Sequence, residues 1–144
     1  MLADMATHRG LSVPQFEASI QTRLRGVLPA FAATANPLDT TAVITYDPRL
    51  LGRIVEAVLE SAEVDGLLIA ISTLMGAQAD VIASDLVALF EQAGKPVVVG
   101  WSLPQTSVQS AVQLLRDSRI PVYDSFGLAT AAVAALCPPP IGQP

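Results

Sequence analysis

The sequence is short of charge. Only 15% of its 144 residues are Asp, Glu, Lys or Arg, whereas 51% are hydrophobic. So little charge cannot cover a lone molecule, and some apolar surface is expected to meet a partner. The alternative is an Ala/Val/Leu-rich α/β protein that needs none. Cysteine is almost absent: Cys137 alone excludes an internal disulfide and fits a reducing compartment. The eight cations are scattered and the net charge is −5, so the basic stripe of a nucleic-acid binder is missing. The charge-free stretch from Gly127 to Cys137 is too short to span a bilayer. Asp4 and His8-Arg9 interrupt the amino terminus, so no secretory leader is visible. There is no internal repeat and no metal-ligand spacing of His, Cys and carboxylates. These absences predict one cytoplasmic domain, long enough to bury a sizeable core.

What the chain does have is two short, unbroken apolar runs. Val64-Asp65-Gly66-Leu67-Leu68-Ile69-Ala70-Ile71-Ser72 lacks the polar alternation of a half-wet strand and reads as a strand buried on both faces. Lys95-Pro96-Val97-Val98-Val99-Gly100-Trp101 is a second run of the same type. Amphipathic helical patterns precede, separate and follow them, which predicts an open parallel sheet with helices on both faces. In such sheets ligands bind beyond the strands' carboxyl ends, here near Ser72-Thr73 and Trp101-Ser102.

In chain order, residues 1–9 read as a helix that Gly10 ends. It has no cap residue before it, so the chain is expected to begin inside a unit. Leu11-Ser12-Val13 is a candidate short edge strand. Pro14 opens a helix with Phe16, Ile20, Leu24 and Val27 on its inner face and Glu17, Gln21 and Arg25 outside. Residues 31–41 form an irregular loop. Asp47-Pro48 starts a helix whose stripe is Leu50, Leu51, Ile54, Val55, Val58 and Leu59; Arg53 and Glu56 are spaced to pair. Helices are predicted over 79–93, capped by Gly94, and over 106–116. Ile120-Pro121-Val122-Tyr123 reads as a strand near a sheet edge. Asp124 or Ser125 caps a last, alanine-rich helix. Residues 137–144 form a Pro-rich tail with the composition of a linker.

Several of these stretches come in the order and spacing of one known domain. Leu2-Ala3-Asp4 with Gly10-Leu11, Leu28-Pro29, Ala32, Asn36-Pro37-Leu38-Asp39, Val64-Asp65-Gly66, Gly94-Lys95-Pro96-Val97 and Ile120-Pro121-Val122-Tyr123 carry the likeness. Residues 1–136 resemble the carboxy-terminal flavodoxin-like ligase domain of the NDP-forming acyl-CoA synthetases. Acetate–CoA ligase (ADP-forming) is the best-known member and succinyl-CoA synthetase a relative. The resemblance implies a doubly wound parallel sheet in three αβα layers. It implies a reaction in which acyl-CoA, ADP and phosphate give acid, CoA and ATP through an acyl phosphate and a phosphohistidine. CoA, ADP/ATP and Mg serve the family, and none is expected on this chain alone. The implied partners are the other domains or subunits of a synthetase.

Two family features are absent. The Gly-rich loop that aims a helix amino terminus at the phosphohistidine is not in the sequence, and neither is the Ser-His-Thr-Gly-Ala-type segment that carries it. His8 does not match that segment and, with no carboxylate to orient it, reads as a solvated surface residue. In the family's strand order, 2-1-3-4-5, the first and central strand precedes the missing loop. Its loss predicts exposed backbone along one edge of the 66–72 strand. Three explanations stay open: the chain is a fragment, the 11–13 strand moves into the gap, or a partner supplies a strand. The open edge is also a route to homo-oligomers.

Four residues are candidates for lying near phosphate or ligand: Asn36, Asp39, Thr73 and Ser102. Asn36 and Asp39 sit on the loop that the resemblance turns toward the phosphate; the alternative is a turn cap and an Asx-turn to Thr41. The Thr73 and Ser102 hydroxyls follow two strands where they would reach a phosphoryl group or CoA; the alternative is capping and loop bonding. Trp101 stacks on adenine or packs at the sheet end. Leu74 and Met75 read as loop packing, and Cys137 has no base to make it a nucleophile. No catalytic residue is assigned. A domain of an acyl-CoA synthetase, inactive alone, is the leading expectation; a non-catalytic interaction or structural module of the same fold is the other.

Overall fold

A computed structural model describes residues 2–138. Among them the chain forms, in order, α1 (Leu2–Thr7), α2 (Ala18–Val27), α3 (Arg49–Leu59), β1 (Leu67–Ile71), α4 (Ala77–Ala93), β2 (Val97–Trp101), α5 (Gln109–Asp117), β3 (Val122–Tyr123) and α6 (Phe126–Leu136). Short 3-10 turns lie at Thr41–Thr45 and Gln105–Ser107. Met1 and the part of the Pro-rich tail from 139 on lie outside the described residues.

The two apolar runs become the parallel pair β1 and β2, in register from Leu67 opposite Val97 to Ile71 opposite Trp101. β3 adds to the far side of β2, so the sheet order is β1-β2-β3 and every pairing is parallel. Each strand-to-strand link is a helical crossover, the connection that parallel pairing requires. Side-chain alternation divides the sheet into two faces. Ile69, Ile71, Val97, Val99 and Trp101 enter the main core with Leu24, Ile54, Ile82, Leu86 and Leu115 of α2, α3, α4 and α5. Leu68 and Val98 face the other way, into a smaller cluster with Ala129 and Val133 of α6. α1 packs on α6, which completes three layers. Gly100 allows α6 to lie close: a Cβ there would stand 2.9 Å from Phe126 Cδ1 and 3.2 Å from Ala129 Cβ.

α3 shows how pattern becomes packing. Its six predicted stripe residues are all buried, while Arg49, Arg53, Glu56 and Glu60 are exposed. Burying six such side chains contributes on the order of 10 kcal/mol before the entropy of ordering them. Asp47 holds the entry to α3. Its carboxyl lies below the usual carboxylate range, first because Arg53 donates a hydrogen bond to it and also through the backbone N–H groups of Arg49 and Leu50. The exit is held by Lys95, whose ammonium donates to the carbonyls of Leu59, at 2.8 Å, and Ser61. A cation on the last carbonyls of a helix is favoured by the helix dipole.

Several expectations need correction. Residues 11–13 form no strand: the Leu11 N–H donates to the Ala6 carbonyl at the end of α1, and its side chain packs on the α6 cluster. α2 begins at Ala18, four residues after Pro14. Glu17 and Gln21 turn partly inward: Glu17 accepts a 2.7 Å bond from the buried Ser61 hydroxyl, and Gln21 donates to the Phe16 carbonyl. Arg53 pairs with Asp47 at 2.6 Å instead of Glu56, since the carboxylate at the helix entry lies within its reach. The helix predicted over 106–116 starts at Gln109 after a 3-10 turn. Finally, β1 is not buried on both faces; Ala70 is exposed and Leu67 and Leu68 are half-buried.

Candidate functional site

The carboxyl ends of β1 and β2 lie side by side, because the Ser102 N–H donates to the Ile71 carbonyl at 2.9 Å. Ser72, Thr73 and Ser102 are all exposed at this end. Trp101 is not: it is 2% exposed, and its indole N–H donates to the Leu74 carbonyl at 3.1 Å. That bond spends the ring on closing the sheet end, which removes it from stacking on a ligand. Leu74 is fully buried beside it, while Met75 stands 51% exposed, against the expectation that both pack. Gly76 takes φ +56° and opens α4 directly after the loop. Its N–H donates to the Ser107 carbonyl and ties the two strand-end loops together. Gln78 at the start of α4 donates to the Thr45 carbonyl, which brings the 3-10 turn and exposed Tyr46 to the first turn of α4.

Asn36 and Asp39 sit elsewhere on their loop. Asn36 is half-buried; its Nδ2 donates to the Pro14 carbonyl at 2.8 Å, and its own carbonyl accepts from Gln15 Nε2 at 2.8 Å. The side chain therefore ties loop 31–40 to the segment before α2. Asp39 is exposed. His8 is exposed at the end of α1.

A concave region lies beside the amino-terminal half of β1's open edge. It holds about 420 Å³ and is walled by Leu2 and Ala6 of α1, Leu11, Phe16, Val58 of α3 and Val133 of α6. Its floor is Gly66, Leu67 and Leu68, and its rim carries Glu63, Asp65, Asn36 and Cys137. Asn36 belongs to this groove; Asp39, Thr73 and Ser102 do not line it. The four candidates are thus not brought together: Asn36 lines the groove, Thr73 and Ser102 lie at the strand ends, and Asp39 is exposed on its loop. The groove itself was signalled in the sequence only by the expected open edge; its wall residues come from four separate segments and share no motif. Burial raises the Cys137 thiol above its usual range, with Asp65 adding to the effect, so thiolate character is suppressed there. Among the described residues, no three His, Cys, Asp or Glu side chains gather where they could hold a metal ion. No helix among them is long and apolar enough to cross a membrane.

No family model and no curated protein matches the sequence. Solved structures do. The chain shares the fold of one part of dinucleotide-forming acetyl-coenzyme A synthetase. The synthetase 1 of Ca. Korarchaeum cryptofilum, in complex with phosphate and ADP, superposes with a TM-score of 0.81 at 26% identity. Its apo form gives 0.80 at 26%, and a protein of Pyrococcus horikoshii OT3 gives 0.80 at 25%. Each match covers 94% of this chain but only 29–31% of the other. The chain therefore spans about three-tenths of the length of the solved chains it resembles, as a small α/β domain within a larger protein would.

Proposed function

We propose that the chain serves as the flavodoxin-like ligase domain of an NDP-forming acyl-CoA synthetase, in the cytoplasm, and has no ligase activity alone. The observation that carries this reading is the superposition of 94% of the chain on less than a third of a synthetase. That synthetase was captured with phosphate and ADP, which fits a phosphoryl relay from acyl phosphate through phosphohistidine to ADP. In this reading the exposed Thr73 and Ser102 hydroxyls hydrogen-bond phosphoryl or CoA oxygens. Asn36 acts through its bonds to the 14–15 segment, positioning the loop that bears Asp39. In this reading CoA, nucleotide and Mg are held mainly by other domains or subunits.

The test mixes the purified chain with acetyl phosphate and ADP and measures ATP. None is expected. Adding the remainder of a dinucleotide-forming acetyl-CoA synthetase, with its own equivalent domain deleted, should restore ATP formation. Thr73→Val with Ser102→Ala should then lower the rate by roughly tenfold, about the worth of one or two lost hydrogen bonds to charge. Robust ATP formation by the chain alone would overturn the reading. The open groove beside β1 favours a second reading, a non-catalytic interaction module of the same fold; failed complementation together with retained partner binding would select it.

A further inference from the structure

One amine holds the corner where α2, α3 and β2 meet. Of the eight cationic side chains in the sequence seven are arginine, and Lys95 is the single lysine. It is half-buried, two residues before β2. Its ammonium donates to the carbonyl of Leu59, the last residue of α3, and to that of Ser61. Ser61 is 1% exposed and gathers further bonds. Its hydroxyl donates to Glu17, just before α2, and accepts from the Glu63 N–H. Its carbonyl also accepts from the Val64 N–H. Arg23 of α2 pairs with Glu60 on the same exit. A single positive charge therefore ties the exit of α3 to the approach to β2 and, through Ser61, to the entry of α2.

A lysine amine is open to acylation, whereas arginine stays protonated and is spared. We infer that Lys95 is an acylation site, and that its modification unlatches this corner. The donor is an acyl phosphate, the intermediate of the proposed relay, and in that respect the inference rests on the ligase reading. While the corner is closed, the ammonium has no lone pair and two of its three protons are engaged by carbonyls. Reaction therefore waits on local opening, and helix ends open at low cost. In the open corner Nζ gives its proton to solvent and attacks the acyl carbon. The N–C bond forms, the C–O bond to phosphate breaks, and phosphate leaves with the electron pair. The product amide carries one N–H, no charge and an added acyl group. It cannot satisfy both carbonyls, and the favourable placement of a cation at the carboxyl end of α3 is lost. The corner does not reclose, so accumulating acyl phosphate loosens α3 at its exit.

The full 144-residue chain is treated with acetyl phosphate, and peptide mass mapping separates Lys95 from the α-amino group. Lys95 should be acetylated roughly tenfold more slowly in the folded chain than in the urea-unfolded one, and faster as sub-denaturing urea opens the corner. The acetylated chain should melt roughly 5–10 °C lower, as the loss of one or two charge-assisted bonds predicts for a domain of this size. The Ser61 and Val64 amides, bonded to the Val58 and Ser61 carbonyls, should exchange several-fold faster. The Val99 amide, bonded to the Pro121 carbonyl, should not. Lys95→Arg keeps the charge and should show no change on treatment. Lys95→Gln should melt like the acetylated chain; if that variant does not fold, the treated parent gives the same reading. A folded chain that is never acetylated at Lys95, while the unfolded chain reacts to completion, would overturn the proposal. So would equal rates folded and unfolded, or an acetylated chain that keeps the parent's melting curve. None of these readouts involves ATP formation, so failed complementation with the Lys95 response intact would strike the ligase reading alone.

Discussion

β1 and β2 are parallel neighbours of five apolar residues each, Leu-Leu-Ile-Ala-Ile against Val-Val-Val-Gly-Trp, yet they differ in burial and pairing. All five residues of β2 are buried between β1 and β3 and under helices on both faces. Among the described residues β1 has one strand neighbour, and it carries two half-buried leucines and an exposed alanine. An apolar run reports the environment a strand is suited to, whereas its actual burial depends on which other segments arrive beside it. In β2 the two agree. In β1 they disagree, and the disagreement sits beside a walled groove.

That contrast can be broken experimentally. The largest effect is expected at the closed end of β2. Trp101→Ala empties a fully enclosed site and strands the Leu74 carbonyl, so urea unfolding should lose about 3–5 kcal/mol. A cost under about 1 kcal/mol would mean the sheet end is not closed by this ring.

A matched pair sharpens the comparison further. Gly100 on β2 and Ala70 on β1 are register partners. Gly100→Val drives a side chain into Phe126 and Ala129 and should cost about 1–3 kcal/mol by overpacking. Ala70→Val faces open space and should stay within about 0.5 kcal/mol of the parent. Equal costs, read from urea midpoints at unchanged slope, would show that β1 is enclosed as β2 is.

The smallest effect concerns Cys137, on the rim of β1's groove. Its folded pKa is raised by burial and by Asp65, so its thiolate fraction near neutral pH is low. Iodoacetamide should label it several-fold more slowly than the same thiol in the urea-unfolded chain, with the gap closing as pH climbs. The linkage has a definite sign. An acid whose folded pKa is raised contributes stability that is fully present below its unfolded pKa, near 9.0, and lost as pH rises through the folded value. Labelling as fast in the folded chain as in the unfolded one would contradict the burial.

Much of the architecture was legible in the residues. The stripe of α3, the two parallel strands, Gly94 closing α4 and the edge position of β3 all follow from local periodicity and turn chemistry. Residues 11–13 carry the pattern of a strand without forming one, because three residues of mixed polarity do not say whether a sheet edge lies within reach. Helical spacing offers Arg53 to Glu56, though Asp47 at the helix entry wins the contact. Of the candidate site residues, Thr73 and Ser102 emerge exposed where strand-end logic put them, while Asn36 lines the groove instead.

Local sequence by itself determined which segments become helix and strand and which face of each is apolar, since those properties depend on side chains a few residues apart. Only the tertiary structure decided that Leu2, Leu11, Phe16, Val58 and Val133 converge on one edge of β1. These residues are separated by up to 131 positions along the chain, and no periodicity of a single element encodes the walls that several elements build together.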